Sequence, residues 1–277
     1  MIVGAHVSRR GEGVTGAIEG CRRRAAECAQ VFVSNPRAWA PPSFDEERAD
    51  AFRAGWDASG LGPLAVHAPY PINIASSDPV TLRRSRALLV ATVEVAATLG
   101  VDVLVVHAGS GGSASAVVAR RRAATSLREV VAAAPRVRVV AELMAGTTGA
   151  VASTPEEAAA LLDIVGDDRL GLCLDTCHLF AAGVPLDRPG GADELVDGLD
   201  RRGLLPRVGL VHVNDSVFGR GEHRDRHADL GDGRIGRRGL GMLARTPLGE
   251  VPWILETPGD ADRQRRDLRW LRRVSRG

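Results

Sequence analysis

His67, His107 and His212 each stand at the end of a short apolar run, and so do the carboxylates Glu142, Asp175 and Glu256. His178 follows Asp175 by three residues, and further on Asp225 and His227 alternate around one residue. In an extended chain that last spacing turns both side chains to the same side. Imidazole nitrogen and carboxylate oxygen without thiolate form a donor set for zinc, with manganese or iron as alternatives. Three carboxylates gathered in one place without cations would repel, and their pKa values would climb at considerable cost. Divalent metals remove that repulsion, so the pattern predicts a metal site. Such a site can acidify water and polarise an oxygen of the substrate, which is hydrolytic chemistry.

The elements that must carry these residues are eight apolar segments: 2–7, 29–34, 64–67, 101–107, 136–143, 170–175, 207–212 and 251–256. Most are rich in Val, Ile and Leu with little alternation, as expected of parallel strands buried on both faces. Helical stretches lie between them, among them 81–99, 116–134 and 154–164. Thr154 is a credible cap with Pro155 at the first helical position, and Gly100 is a helix stop. Gly109 to Ser115 reads as a loop, and Arg263 to Arg276 as a last helix with a basic face, either solvated or touching DNA. Strand and helix alternating eight times predict an α/β fold, a (β/α)8 TIM barrel, formed as one domain over residues 1–277. In such a barrel every strand's C-terminal end opens on one mouth, so seven donors from six strands converge there.

Composition excludes more than it assigns. The content is 44% hydrophobic and 25% charged, which is neither disordered nor membrane-like. No apolar run approaches a membrane span, and Met1 to His6 begins directly as a strand, so a cytoplasmic protein is expected. Nothing in the chain calls for an obligatory protein partner, and a monomer is expected. There is no lysine, and every basic side chain is arginine; with abundant Ala, Gly and Val this reads as a compositional bias. Cys21, Cys28, Cys173 and Cys177 are too scattered for a disulfide scaffold. Cys173 and Cys177 flank Asp175, so they are either packing thiols or metal donors.

Several segments together resemble the endonuclease IV family over essentially the whole chain. They are Gly4-Ala5-His6-Val7-Ser8, Asn35-Pro36-Arg37-Ala38-Trp39, His67-Ala68-Pro69-Tyr70, Val106-His107-Ala108-Gly109-Ser110 and Leu174-Asp175-Thr176-Cys177-His178 running on to Gly183. Downstream come His212-Val213-Asn214-Asp215-Ser216, Asp225-Arg226-His227 and Ile254-Leu255-Glu256-Thr257. The resemblance implies three zinc ions per chain. His67, His107 and Glu142 would hold one; Glu142, Asp175, His212 and Glu256 a second; and His178, Asp225 and His227 a third. It also implies hydrolysis of duplex DNA on the 5′ side of an abasic site, leaving a 3′-hydroxyl, as in base excision repair. Glu256 and Glu142 would be the catalytic carboxylates, with Glu256 orienting or deprotonating the attacking water. Arg37 and Tyr70 would enter the minor groove, bend the duplex and help extrude the abasic nucleotide. Without the resemblance, Arg37 reads as half of a surface ion pair, and Tyr70 as loop packing. Departures from the family pattern fall at Pro71, at Leu143-Met144 and at Val217, beside which Arg220 or Arg224 could supply a phosphate contact.

A sugar isomerase or epimerase on the same barrel is the main alternative. It would use Glu142, Asp175, His212 and Glu256 around one metal and would have no need of His67, His107, His178, Asp225 and His227. A DNA-damage-binding module without turnover is a weaker one, because structural zinc is normally saturated by four protein ligands.

Overall fold

The computed structural model describes residues 1–7 and 13–276; Ser8, the last residue of the first matching segment, lies outside them. Eight parallel strands close into a barrel: β1 (Val3–His6), β2 (Cys28–Val31), β3 (Leu64–His67), β4 (Val103–His107), β5 (Arg138–Glu142), β6 (Gly171–Asp175), β7 (Val208–His212) and β10 (Trp253–Leu255). Each lies inside or within a residue of its expected segment. The ends fray by one to three residues where the apolar run continues past the last ladder hydrogen bond.

Outside the strands run α1 (Gly13–Arg24), α2 (Glu46–Ser59), α3 (Pro79–Thr98), α4 (Ala116–Ala133), α5 (Pro155–Val165), α7 (Gly191–Asp200), α8 (Gly236–Ala244) and α9 (Ala261–Val274). Thr154 caps α5 as expected, its hydroxyl accepting from the Glu157 amide at 3.3 Å, and Gly100 follows α3 at a φ of 68°. α3 starts two residues earlier than its periodicity suggests, because Asp78 accepts from the amides of Val80 and Thr81 and Pro79 occupies the first turn. Two features were not anticipated. A short helix, α6 (Thr176–Ala181), follows β6 directly, and the segment after β7 carries a two-stranded antiparallel hairpin, β8 (Asp215–Ser216) with β9 (His227–Ala228). Among the described residues no helix is long and apolar enough to cross a membrane.

The interior of the barrel is a small apolar cluster: Cys28, Ala65, Val103, Val105, Val140, Cys173, Leu210 and Ile254. A second, larger cluster fills the space between strands and helices. Side chains alternate along a strand, so a residue two positions past an interior residue again points inward. His67, His107, Glu142, Asp175, His212 and Glu256 each stand two residues beyond Ala65, Val105, Val140, Cys173, Leu210 and Ile254. The register sets His107 opposite Glu142 and Asp175 opposite His212. The apolar plug is therefore the floor of the site.

Candidate metal centre

Glu142 is the hub. It is fully buried, and four imidazoles surround its two oxygens. Oε2 lies 3.2 Å from His67 Nε2 and 3.4 Å from His107 Nε2, while Oε1 lies 3.3 Å from His178 Nδ1 and 3.2 Å from His212 Nδ1. His212 Nδ1 is also 3.3 Å from Glu256 Oε2 and 3.9 Å from Asp175 Oδ2. On the far side, Asp225 bridges His178 Nε2 at 3.1 Å and His227 Nε2 at 3.2 Å. All nine expected donors are thus brought together. They fall into three groups whose donor atoms lie within 4.8 Å of one another: His67–His107–Glu142, Glu142–Asp175–His212–Glu256 and His178–Asp225–His227.

Local structure fixes each donor. Asp175 is the N-cap of α6, its Oδ1 accepting from the amides of Cys177 at 2.7 Å and His178 at 3.0 Å. The same turn therefore sets both Asp175 and His178. The hairpin pairs Ser216 with His227 and so holds His227 over the mouth, where an extended loop had been expected. Asp215, also fully buried, anchors the return of this segment by accepting from the amides of Gly231, Ile235 and Gly236. A side chain at Gly233 would strike Asp215 Oδ1, a Cβ there lying 2.4 Å away.

The hydrogen bonds suit cations. Nδ1 donates to a backbone carbonyl in His67 (Ala68, 2.6 Å), His178 (Leu143, 2.9 Å) and His227 (Glu256, 3.3 Å). That leaves each Nε2 lone pair facing the cleft, the arrangement in which an outer partner fixes the tautomer of a metal-binding histidine. His212 is turned the other way, with Nε2 donating to Gln30 Oε1 at 2.9 Å and Nδ1 facing the carboxylates. His227 Nε2 is buried and makes no hydrogen bond although Asp225 Oδ1 and Asp175 Oδ2 lie within 3.6 Å. At His227, the nitrogen and the two carboxylate oxygens converge without bonding, which fits a cation between them. The donors present therefore fit zinc or a similar divalent ion.

Charge is balanced in the metal-free protein by protons. Burial opposes ionisation of Glu142, but His212, His107 and His178 outweigh it and hold the carboxyl well below its usual range. Burial likewise opposes the charge on His178 and His212, and neighbouring acidic groups raise both well above an ordinary histidine. Against the same burial, Asp175, Asp225 and Glu256 lift His227 to about 9. His107, more weakly compensated, is pushed down to about 4 by burial. A histidine raised in the folded state stabilises it fully below the unfolded value near 6.5, and that contribution is lost as pH rises through the folded value. The metal-stripped protein is therefore expected to lose melting temperature between about pH 6.5 and 9, on the order of 1.4 kcal/mol per pH unit for each such proton. Metal binding requires neutral imidazole, so the metal-loaded protein should not follow this decline. Thermal melts of both forms at matched ionic strength test this, and parallel pH profiles would overturn it.

Three residues of the site carry no role in the sequence reading. Gln30, fully buried, donates to Glu256 Oε1 at 2.6 Å while accepting from His212. His6 Nδ1 stands 3.2 Å from the same carboxylate oxygen. Asn214 donates to Asp175 Oδ2 at 2.7 Å and accepts from the Glu256 amide at 2.9 Å, joining two groups of donors. His6 and Gln30 follow the rule already described, two residues past Gly4 and Cys28 on the first two strands. The four cysteines are free and buried, and burial pushes Cys173 and Cys177 up to about 12, which keeps them as thiols.

Above the donors opens a cleft of about 1180 Å³ lined by Phe32, Arg37, Tyr70, His107, Asp225 and Glu256 among others. Arg37 is exposed and has no carboxylate partner among the described residues, so the surface-pair reading falls away. Tyr70 is 56% exposed, with its ring edge-on to Phe32 at 5.2 Å and its amide donating to Pro36. Its ring therefore stands over the mouth. Val217 is exposed; Arg220 is engaged with Asp187, whereas Arg224 stacks on Phe218.

A closed barrel with clustered metal donors at its C-terminal mouth defines a xylose isomerase-like TIM barrel, and the model of that family matches residues 19–274. Within it the chain belongs to the endonuclease IV family. It is 37% identical over 272 residues to an endonuclease 4 of Thermus thermophilus, covering 97% of this chain and 96% of that one. A crystal structure of endonuclease IV from Thermus thermophilus superposes with a TM-score of 0.88 at 34% identity, covering 99% of this chain and 98% of that chain. D-psicose 3-epimerase from Clostridium cellulolyticum shares the fold at a TM-score of 0.70 and 15% identity, covering 100% and 98%.

Proposed function

We propose that this protein is a DNA-cleaving hydrolase of the endonuclease IV type, working on a single barrel domain. Its reaction is hydrolysis of the phosphodiester 5′ to an abasic site in duplex DNA, leaving a 3′-hydroxyl. The observation that carries this reading is the third donor group, His178–Asp225–His227, standing beside the two that share Glu142. A one-metal isomerase needs only Glu142, Asp175, His212 and Glu256, and would gain nothing from five further donors aimed into the same cleft.

His67, His107 and Glu142 would hold one zinc; Glu142, Asp175, His212 and Glu256 a second; and His178, Asp225 and His227 a third, with manganese or iron also suited to these donors. Bound there, the metals supply acidification of the attacking water and neutralisation of charge on the phosphate and the departing oxygen. The chain does the rest. Gln30 and His6 hold Glu256 Oε1, which leaves Oε2, beside His212 Nδ1 at 3.3 Å, as the oxygen turned towards the donors, where it would orient the water and take its proton. Arg37 and Tyr70 line the cleft, from where both would enter the minor groove, bend the duplex and help extrude the abasic nucleotide. Extruding an abasic sugar costs less than flipping an intact nucleotide, since there is no base to unstack, which makes the lesion itself the specificity.

The test is duplex DNA carrying one abasic site, incubated with metal-loaded protein and resolved on a denaturing gel. A single nick 5′ to the lesion with a 3′-hydroxyl is expected. Intact DNA would overturn the reading, and conversion of ketose or aldose sugars by the same preparation would replace it with the isomerase.

A further inference from the structure

We propose that the outer face formed by α8 and α9 is a second contact surface for the phosphate backbone of duplex DNA, engaging the arm of the duplex beyond the lesion. This rests on the DNA-substrate reading above.

Arg237, Arg263, Arg266, Arg269 and Arg273 surround Trp270 and enclose a hollow of about 240 Å³. The charges on this face are unequally matched. Asp267, buried at the base, takes both Arg237 and Arg263 at 3.0 Å, and Asp232 takes Arg263 again. Arg266, Arg269 and Arg273 are exposed, and no carboxylate lies within ion-pair distance of any of them among the described residues. The guanidinium of Arg237 lies over the Trp270 ring at 5.2 Å, so it is held in place on the wall of the hollow. Three neighbouring cations without counter-charge repel one another, and a polyanion seated among them removes that repulsion.

Position selects the polyanion. Arg263 donates to the Leu230 carbonyl at 3.0 Å, which ties the first turn of α9 to the segment that carries His227 at the mouth. From Arg263 to Arg273 the helix descends ten residues, about 15 Å at 1.5 Å per residue. That length follows about four phosphates of one strand, spaced 3.4 Å along the axis. The stripe thus begins at the rim of the cleft and runs down the side of the barrel. A duplex lying straight across the mouth would miss its lower end, whereas a duplex bent at the lesion would bring one arm onto it.

The experiment compares wild type with the triple variant R266Q/R269Q/R273Q, whose three side chains are exposed and outside the core. Binding to a duplex of roughly 12 base pairs, about 40 Å long, and to one of roughly 40 base pairs is measured across a salt series. Wild type is expected to show the steeper salt dependence on the long duplex. The variant should lose about 2–3 units of that slope on the long duplex, near 0.9 per phosphate contact. The short duplex and its rate of nicking should be unchanged, and R266K/R269K/R273K should restore the slope. An unchanged slope on the long duplex, or an equal loss on both lengths, would overturn the proposal. So would wild-type binding to vesicles of anionic lipid, abolished in the triple variant while its DNA binding persists. Failure of wild type to nick the short abasic duplex would instead refute the endonuclease reading, and the two results are separable because binding needs no turnover.

Discussion

A Glu256→Gln enzyme is expected to nick abasic DNA about 10²–10⁴-fold more slowly than wild type, the range of a lost general base, with little change in substrate affinity. The substitution is nearly isosteric. The Glu256 amide would still donate to Asn214 Oδ1, and the retained carbonyl oxygen would still accept from Gln30 Nε2. What disappears is the charge and the second acceptor, Oε2, which faces His212 Nδ1 at 3.3 Å. An amide cannot take a proton from water near neutral pH, and it presents N–H where a cation would sit. The deficit should therefore appear in kcat rather than in KM. Metal content is measured on the same preparation, since Glu256 is one donor of a group of four. Turnover near that of wild type in a fully loaded variant would remove Glu256 from the chemistry.

Much of this site was legible because a barrel strand advertises its inward end. Where an apolar run closes on His, Asp or Glu, the buried floor must lie two residues earlier, and the six strand-end donors obey this without exception. The same register would have revealed His6 and Gln30. They escaped notice because Gln30 lies in the middle of its apolar run rather than at its end, and His6 is followed by a further apolar residue, Val7. Asn214 carries no charge and no strand-end signature; its role follows from β7 lying between β6 and β10 in the barrel, which no local pattern encodes. The hairpin of β8 and β9 was hidden for another reason. Two-residue strands leave no alternation to read, and Asp215 organises the segment by capping distant amides at positions 231, 235 and 236. The rim is the least legible part. Arg37 and Tyr70 rest on the resemblance alone, and the structure adds their exposure and, among the described residues, no carboxylate in ion-pair reach of Arg37.

The epimerase neighbour clarifies what fold alone can carry. At 15% identity it shares the barrel, and a barrel of this kind accommodates several chemistries at the same mouth. The discriminating feature is the five added donors: two at the ends of β3 and β4, one on α6 and two on the segment between β7 and α8. The activity is thus proposed from strand ends, a helix start and a loop that the barrel brings to one mouth.

Glu142→Gln is expected to be the most disruptive single change at the centre. Glu142 belongs to two of the three donor groups, and four imidazole nitrogens lie within 3.4 Å of its oxygens. In the metal-loaded protein its loss should lower affinity at two of three positions by well over the 100-fold typical of a merely outer partner. Only His178–Asp225–His227 would remain intact, so metal content should fall towards one per chain and nicking should cease. The metal-free protein gives an independent readout. With its charge gone, His67 loses the main cause of its raised value, while His178 and His212 lose one contribution beside those of their other neighbours, and all three release their protons at lower pH than in wild type. The loss of stability between about pH 6.5 and 9 should then become shallower than in wild type, while the contribution of His227, which is raised chiefly by Asp175 and Asp225, persists. A variant that keeps three metals, or one whose metal-free pH profile superposes on that of wild type, would show that Glu142 does not join the first two donor groups.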